Sequence, residues 1–402
     1  MTFFYSKEDS VTVLVINSGS SSIKYQLINP DSGESIASGL VEQIGESEGH
    51  YVHKFDGETT ELFEVVPDHA VGLRKVIELF ETAGPHLSEA GIKAVGHRIV
   101  QGGRYFNKAT LIDDAVEDRI RQLIPLGPLH NPAHLKGIDV ARELFADVPH
   151  VAVFDTAFFQ DLPDEAATYA LDRETAEKYE IRRYGAHGTS HRYVSSVVSQ
   201  ILGRNDLKQI VLHLGNGASA SAVVNGKAVD TSMGLTPLEG LMMGTRTGDI
   251  DPAAVFHLQR VAGMSYEDVD TLFNKKSGLK GLAGENDMRK VLELRDQGDP
   301  HAIEAIDVYT HRLLHYIGAY TAVMGGVDVL TFTAGIGENS VGLRQALLAR
   351  LEPFGVKIDA ALNEERSSEP RTISTPESSL RVMIVPTNEE LAIAREAMEL
   401  IS

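Results

Sequence analysis

The chain has 402 residues and no cysteine, and its 37 Lys and Arg against 57 Asp and Glu leave a formal charge of −20. The missing thiols exclude a disulfide scaffold, a Cys-ligated zinc, an iron–sulfur cluster and thiol catalysis. The acidic excess argues against nucleic-acid binding and against adhesion to anionic lipid, while 43% hydrophobic and 23% charged residues describe an ordinary globular protein with length for two or three domains.

No apolar run reaches the roughly 18–20 residues that span a bilayer. Met1–Ser10 carries Lys7, Glu8 and Asp9 with no apolar stretch behind them. No secretory signal is expected, and the cytoplasm is the expected location.

In chain order, Val11–Asn17 reads as a β-branched strand and Ser21–Asn29 as a second strand after a Ser/Gly turn. Pro30-Asp31-Ser32-Gly33 is a turn before a third strand, Ser35–Val41. His69–Thr82 has helical periodicity. Asn131-Pro132 predicts a helix through Phe145, with Asn131 as N-cap. His150–Asp155 is a buried-type strand, and Thr189–Leu202 a helix with a hydroxyl cap. Ala302–Met324 is a long helix, Asp328–Thr333 a strand, and a further helix starts at about Asn339. Val382–Val385 is the last strand, and Thr387-Asn388-Glu389-Glu390 has capping-box spacing for a terminal helix. The alternation is that of an α/β protein.

The pattern repeats itself. Val11–Ser21 and Gln209–Ser219 each run from an apolar strand into a small-residue turn, then through a second strand, a polar turn and a third strand. The two copies start about 200 residues apart, which predicts two related domains.

Three small-residue loops follow predicted strands: Asn17–Ser22, Gly215–Ser219 and Gly335–Asn339. Successive backbone N–H groups in such loops cradle phosphate. None matches the P-loop pattern G-x-x-x-x-G-K-S/T. Gly215–Ala220 matches the dinucleotide fingerprint G-x-G-x-x-A, but Ser221–Asp230 reads as a hairpin around Asn225-Gly226, where that fingerprint requires a helix. Gly45–Gly49 matches the nucleophile-elbow pattern between two strand-like runs and is read as a hairpin turn. Among three His pairs at helical spacing, His187 precedes its helix and His311/His315 are read as helix-packing residues, so zinc is not expected. The remaining polar clusters are His97-Arg98, Asp155-Thr156, His187, Gly244–Asp249 and Asn286–Arg289. Together they supply cations, a carboxylate and backbone cradles, which are the parts of phosphoryl transfer.

At these residues the chain resembles the acetokinase family, within the superfamily of sugar kinases, heat-shock ATPases and actin. The matching segments include Val15–Tyr25, Gly96-His97-Arg98 with Gly102-Gly103, Leu129–Pro132, Phe154–Phe158, His187–His191 and His213–Gly217. They continue through Pro237–Arg246, Phe332–Asn339 and Pro386–Glu390, in the family's order over nearly the whole chain.

The resemblance implies an α/β fold of two duplicated actin-like ATPase (ribonuclease H-like) domains around a central active-site cleft. The first would span residues 1–155, completed by a C-terminal helix at about 386–402, and the second residues 156–385. It implies reversible in-line transfer of the ATP γ-phosphoryl group to acetate, giving acetyl phosphate and ADP. Magnesium, with manganese as an alternative, is the implied metal, and a homodimer the implied assembly. By residue, it implies Asn17 and Glu389 at the metal, Lys24 at ATP, Arg98 on the substrate carboxylate, Asp155 as the catalytic acid, and His187 and Arg246 as transition-state stabilisers. Val100, Leu129 and Pro237 would enclose the methyl group. His213, Leu214, Gly215, Asn216 and Gly217 would bind nucleotide, as would Asp287, Met288 and Arg289, and Gly335, Ile336, Gly337, Glu338 and Asn339.

Acetate is ionised near neutral pH, so Asp155 is expected to position metal and nucleophile without abstracting a proton. One residue departs from the family pattern: Ala186 stands where Phe usually precedes the active-site His, which suggests a pocket open to propionate or butyrate. Two rivals remain at this stage. A sugar or polyol kinase would need Asp155 as a base and a polar acceptor pocket; an actin-like or heat-shock-ATPase-like nucleotide switch, whose output is partner binding, would hydrolyse ATP slowly without acceptor.

Overall fold

A computed structural model describes residues 11–19 and 21–402. Ser20 of the first small-residue loop and the Met1–Ser10 segment lie outside the described residues. The chain divides into two compact units. Unit 1 runs to Gln160 and resumes over Asn388–Ser402, and unit 2 is Asp161–Thr387.

The sheet of unit 1 contains β1 (Thr12–Ser18), β2 (Ile23–Ile28), β3 (Ser35–Glu42), β4 (Gly49–Phe55), β5 (Glu58–Glu64), β6 (Ile92–Ile99), β7 (Thr110–Leu111) and β8 (His150–Phe154). Their order is β5-β4-β3-β2-β1-β6-β8-β7. β1 to β5 form an antiparallel meander, while β6 runs parallel to β1 and β8 parallel to β6. Parallel strands covered on both faces need continuous apolar runs, and all of His150–Phe154 is buried.

Helices His69–Ala83 and Asn131–Leu144 pack on each other, and the helix Glu389–Ile401 packs on β1, β6 and β8. That helix lies so close to β6 that a Cβ on Gly96 would stand 2.6 Å from Ile393 Cγ2, which is why the strand carries glycine there.

Unit 2 repeats the plan with β9 (Lys208–Leu214), β10 (Ala218–Val224), β11 (Lys227–Thr231), β12 (Val329–Thr333), β13 (Arg371–Thr372) and β14 (Arg381–Ile384), ordered β11-β10-β9-β12-β14-β13. Its core order β11-β10-β9-β12-β14 matches β3-β2-β1-β6-β8 strand for strand. The first three strands are antiparallel, and the last two run parallel to the first. The duplication expected from the sequence is therefore present as topology. β10 and β11 form the expected hairpin, with Asn225 (φ 53°) and Gly226 (φ 77°) both in the left-handed region, as a type I′ turn requires. The dinucleotide fingerprint is thus excluded.

The helix Pro300–Val323 begins at Asp299, whose carboxylate accepts from Ala302 N at 2.8 Å. It buries one stripe from Ala302 through Tyr320. His311 and His315 lie off that stripe and are exposed, so the packing role expected for them is corrected; their rings contact each other at 4.9 Å.

Three caps also differ from expectation. Asn131 lies inside its helix, and its amide is spent on the backbone of Gln101. The helix Gly188–Leu202 is capped by His187 with no side-chain hydroxyl bond. The terminal helix is capped by Asn388, which accepts from Leu391 N at 2.9 Å, so Glu390 is not part of a capping box. Among the described residues no helix is long and apolar enough to cross a membrane.

Candidate active site

Parallel strands deliver functional side chains to their carboxyl ends. In unit 1 the ends of β1, β6 and β8 bring Asn17, Arg98 and Asp155 together. Arg98 Nε donates to both oxygens of Asp155 at 3.1 Å, Nη2 donates to Oδ2 at 2.6 Å, and Nη1 donates to Asn17 Oδ1 at 3.2 Å. Asp155 is fully buried. Burial opposes the charge of Arg98, but Asp155, Glu389 and Glu390 outweigh it and hold its pKa above the usual arginine value. Glu389, at the start of the terminal helix, has its pKa raised by burial; Arg98 works against the shift, and the Asp155 and Glu390 carboxylates add to it. Lys24 faces Asn17 across the β1–β2 ladder and pairs with Glu390 at 2.6 Å.

The loop carrying Leu129 is clamped beside Val100 by Asn131. Its Oδ1 accepts from Gln101 N at 3.3 Å and its Nδ2 donates to Gln101 O at 3.1 Å. Val100 is buried and Leu129 exposed. His97 has a structural task. It is buried against His150, with Nε2 and Nδ1 3.0 Å apart, and His150 donates onward to Phe145 O.

In unit 2 His187 and Arg246 converge on Gly217. A Cβ there would stand 3.5 Å from His187 Cε1, 3.6 Å from its Nε2 and 3.9 Å from Arg246 Nη1. Only glycine leaves that space open. Arg246 is partly buried, burial lowers its pKa, and among the described residues no carboxylate pairs with it; its Nη1 donates to Pro237 O at 3.2 Å. His187 holds a left-handed backbone (φ 58°), and its ring stacks on His213 at 4.2 Å. Pro237 lies partly buried in the same loop system as Arg246.

The nucleotide-binding candidates divide by exposure. His213 is paired in register with Thr333 across β9 and β12, so the Gly215–Gly217 turn and the Gly335–Asn339 segment leave neighbouring strand ends. The second of these is a short helix, Ala334–Asn339, where a loop was expected; Asn339 donates back to Gly335 O and buried Arg344 donates to Gly337 O and Glu338 O, both at 2.8 Å. Glu338 accepts from Thr387 N, and burial raises its pKa. Asn216 is exposed, whereas Leu214 and Met288 are buried in the core and offer only backbone. Asp287 caps the helix Met288–Asp296, and its pKa is lowered to about 2 chiefly by its hydrogen bonds with Arg289.

The sequence reading missed Ser219, His191 and Ser221, which line up behind His187, and Arg344. The only available signal for His191 was its helical spacing from His187, which had been weighed for zinc.

Among the described residues no group of three His, Asp or Glu side chains could hold a metal alone. The oxygens of Asn17, Asp155 and Glu389 nevertheless suit magnesium, a hard ion that keeps several waters and takes one or two carboxylates plus substrate phosphates.

Residues 12–395 match the family model described as the acetokinase family. The acetate kinase of Leifsonia xyli is 53% identical over 392 residues, covering 97% of this chain and 99% of that protein. Two solved structures share the fold at a TM-score of 0.91. One is a propionate kinase from Francisella tularensis, 42% identical over 97% of this chain and 99% of its own. The other is the acetate kinase of Porphyromonas gingivalis, 41% identical over 98% and 100%.

Proposed function

This chain belongs to the acetokinase family of kinases, and on that premise we propose that it moves the γ-phosphoryl group of ATP reversibly onto acetate, by direct in-line transfer. The observation that carries the reading is the Arg246 guanidinium, partly buried with no carboxylate partner among the described residues and converging with His187 on Gly217. An uncompensated cation beside an open backbone cradle suits an anion that gains charge during transfer.

In this reading Arg98 binds the acceptor carboxylate with the donors that Asp155 leaves to it, and Val100, Leu129 and Pro237 enclose the methyl group. Arg246 and His187 take the charge on the transferring group. The segments His213–Gly217, Asp287–Arg289 and Gly335–Asn339, with Lys24, hold nucleotide. Asn17, Asp155 and Glu389 would hold magnesium (or manganese), which when bound neutralises charge on the β- and γ-phosphate oxygens. A cytoplasmic homodimer completes the proposal. The dimer, though not the location, is supported by the helix Ala253–Ala262, which carries Val255, Phe256, Leu258 and Val261 yet buries none of its residues within the chain.

ADP release followed with and without acetate, with hydroxylamine trapping of the acyl phosphate, tests this reading. ADP formation that requires acetate and yields the hydroxamate is expected. Acetate-independent hydrolysis alone would favour a nucleotide switch, and stimulation by polyols a different acceptor class.

Ala186 bears on acceptor length. It is buried in the unit 2 core with Met242, and we read the site as tolerant of longer acids. One methylene is worth roughly 10–200-fold in an apolar pocket. Ala186→Phe is therefore expected to raise the acetate-to-propionate and acetate-to-butyrate ratios of kcat/KM by up to that factor. Equal ratios in the two proteins would show that residue 186 does not set acyl length.

A further inference from the structure

Behind His187 lies a row of buried groups that the proposed chemistry does not yet use. His187 Nδ1 is 2.9 Å from Ser219 Oγ, His191 Nε2 is 2.7 Å from the same oxygen, and His191 Nδ1 is 2.8 Å from Ser221 Oγ. Ser219, Ser221 and His191 are all fully buried. Two elements build the row. β10 puts Ser219 and Ser221 on one face by its period of two, and the helix Gly188–Leu202 puts His191 one turn after His187.

Proton accounting gives the row a direction. The sole hydrogen-bond partner of Ser221 Oγ among the described residues is His191. A buried hydroxyl that only accepted would leave its own proton unpaired, at a cost, so Ser221 donates to His191 Nδ1. Neutral His191 then carries its single proton on Nε2 and donates it to Ser219 Oγ, and Ser219 donates to His187 Nδ1. A nitrogen that accepts cannot hold the ring proton, so the proton of a neutral His187 sits on Nε2, the atom beside Gly217.

We propose that Ser221, His191 and Ser219 are positioning residues that fix His187 as its Nε2–H tautomer, so that it meets the transferring phosphoryl group as a neutral donor. The inference rests on the reading of His187 given above. The groups around the ring agree with it. His213 stacks on one face, His191 stands behind Ser219, and the Arg246 cation shares the Gly217 cradle, where a second positive charge on His187 would be repelled. Without the row, a neutral imidazole divides between two tautomers, one of which turns a lone pair toward phosphate oxygen.

The test uses the full chain with 15N-labelled histidine, the His187 signals being identified by their loss in His187→Gln. Ligand-free wild type is expected to show His187 protonated at Nε2 at pH 8, and Ser219→Ala to show a mixture or the Nδ1–H form. This readout does not depend on what His187 touches, so it separates failure of the relay from failure of the phosphotransfer assignment, which acetate-dependent ADP formation by wild type checks.

In turnover, Ser219→Ala is expected to lose about 10–100-fold in kcat at pH 8, the range of outer-shell orienting groups, with KM for acetate and ATP little changed. The loss should shrink toward pH 5.5, because an imidazolium donates from both nitrogens. Ser221→Ala, two groups removed, should show the same trend more weakly, and thermal melts of both confirm folding. An Nδ1–H His187 in wild type or an unchanged tautomer in Ser219→Ala would each overturn the relay.

Discussion

Arg246→Ala is expected to lower kcat/KM by about 10²–10³-fold, the loss typical of a single donor aimed at developing charge, while leaving the protein as stable as before or more so. The two effects have one cause. The guanidinium is partly buried and, among the described residues, is not paired with a carboxylate and is held only by Pro237 O and a 4.0 Å contact to Met243 Sδ. A desolvated cation costs the folded state free energy that an anionic ligand would recover. The loop does not need this side chain for its shape. Asp249 closes it by accepting from Gly240 N and donating from its own N to Gly240 O, both at 2.9 Å, and Arg246 O accepts from Met243 N at 3.2 Å. Steady-state kinetics and denaturant melts on the same samples check the pair of outcomes. A loss below tenfold, or a clear loss of stability, would remove Arg246 from the transferring group.

Arg98→Ala should lose a comparable factor in kcat/KM, but with the opposite stability signature. Its partner Asp155 is fully buried and receives three hydrogen bonds from this one guanidinium. Removing Arg98 takes those three hydrogen bonds from a buried carboxylate, and breaking a buried pair in this way costs about 3–5 kcal/mol. Arg98→Lys should remain poor in both respects, because an ammonium cannot copy the planar fork that spans Asp155 and Asn17. The double variant Arg98→Met with Asp155→Leu is expected to regain much of the lost stability and none of the activity. A stable, inactive Arg98→Ala would mean that Asp155 finds another cation; a stable, active one would place acceptor binding elsewhere.

The contrast between these arginines was invisible in the sequence, where each is simply an Arg in a polar cluster. Strands and turns were legible because their signals are local. β-branched runs marked β1 and β9, and Asn225-Gly226 marked the β10–β11 hairpin through its left-handed turn. The repeat was legible because a duplicated strand order leaves a duplicated pattern. Caps were less so, since Asn131 had two possible partners and tertiary contact with Gln101 won over its own helix end. His97 and His187 look alike as single letters; burial against His150 makes one structural, and the Gly217 cradle gives the other its place. The row behind His187 needs a strand and a helix brought together from some 30 residues apart, which periodicity alone does not report.

The division of the chain also orders its manufacture. Glu389 and the helix that seats against β6 belong to unit 1 but follow all of unit 2 in the chain. At about 5–20 residues per second on a ribosome, the strands β1 to β8 wait tens of seconds for the helix that covers them, while unit 2 is contiguous and folds as it emerges. Gly96 therefore meets Ile393 only after unit 2 has been synthesised. A chain cut short before Asn388 has every β-strand of both sheets but lacks Glu389, Glu390 and the cover over β6. Unit 1 is thus completed by the segment Asn388–Ser402 only after all of unit 2 has been made.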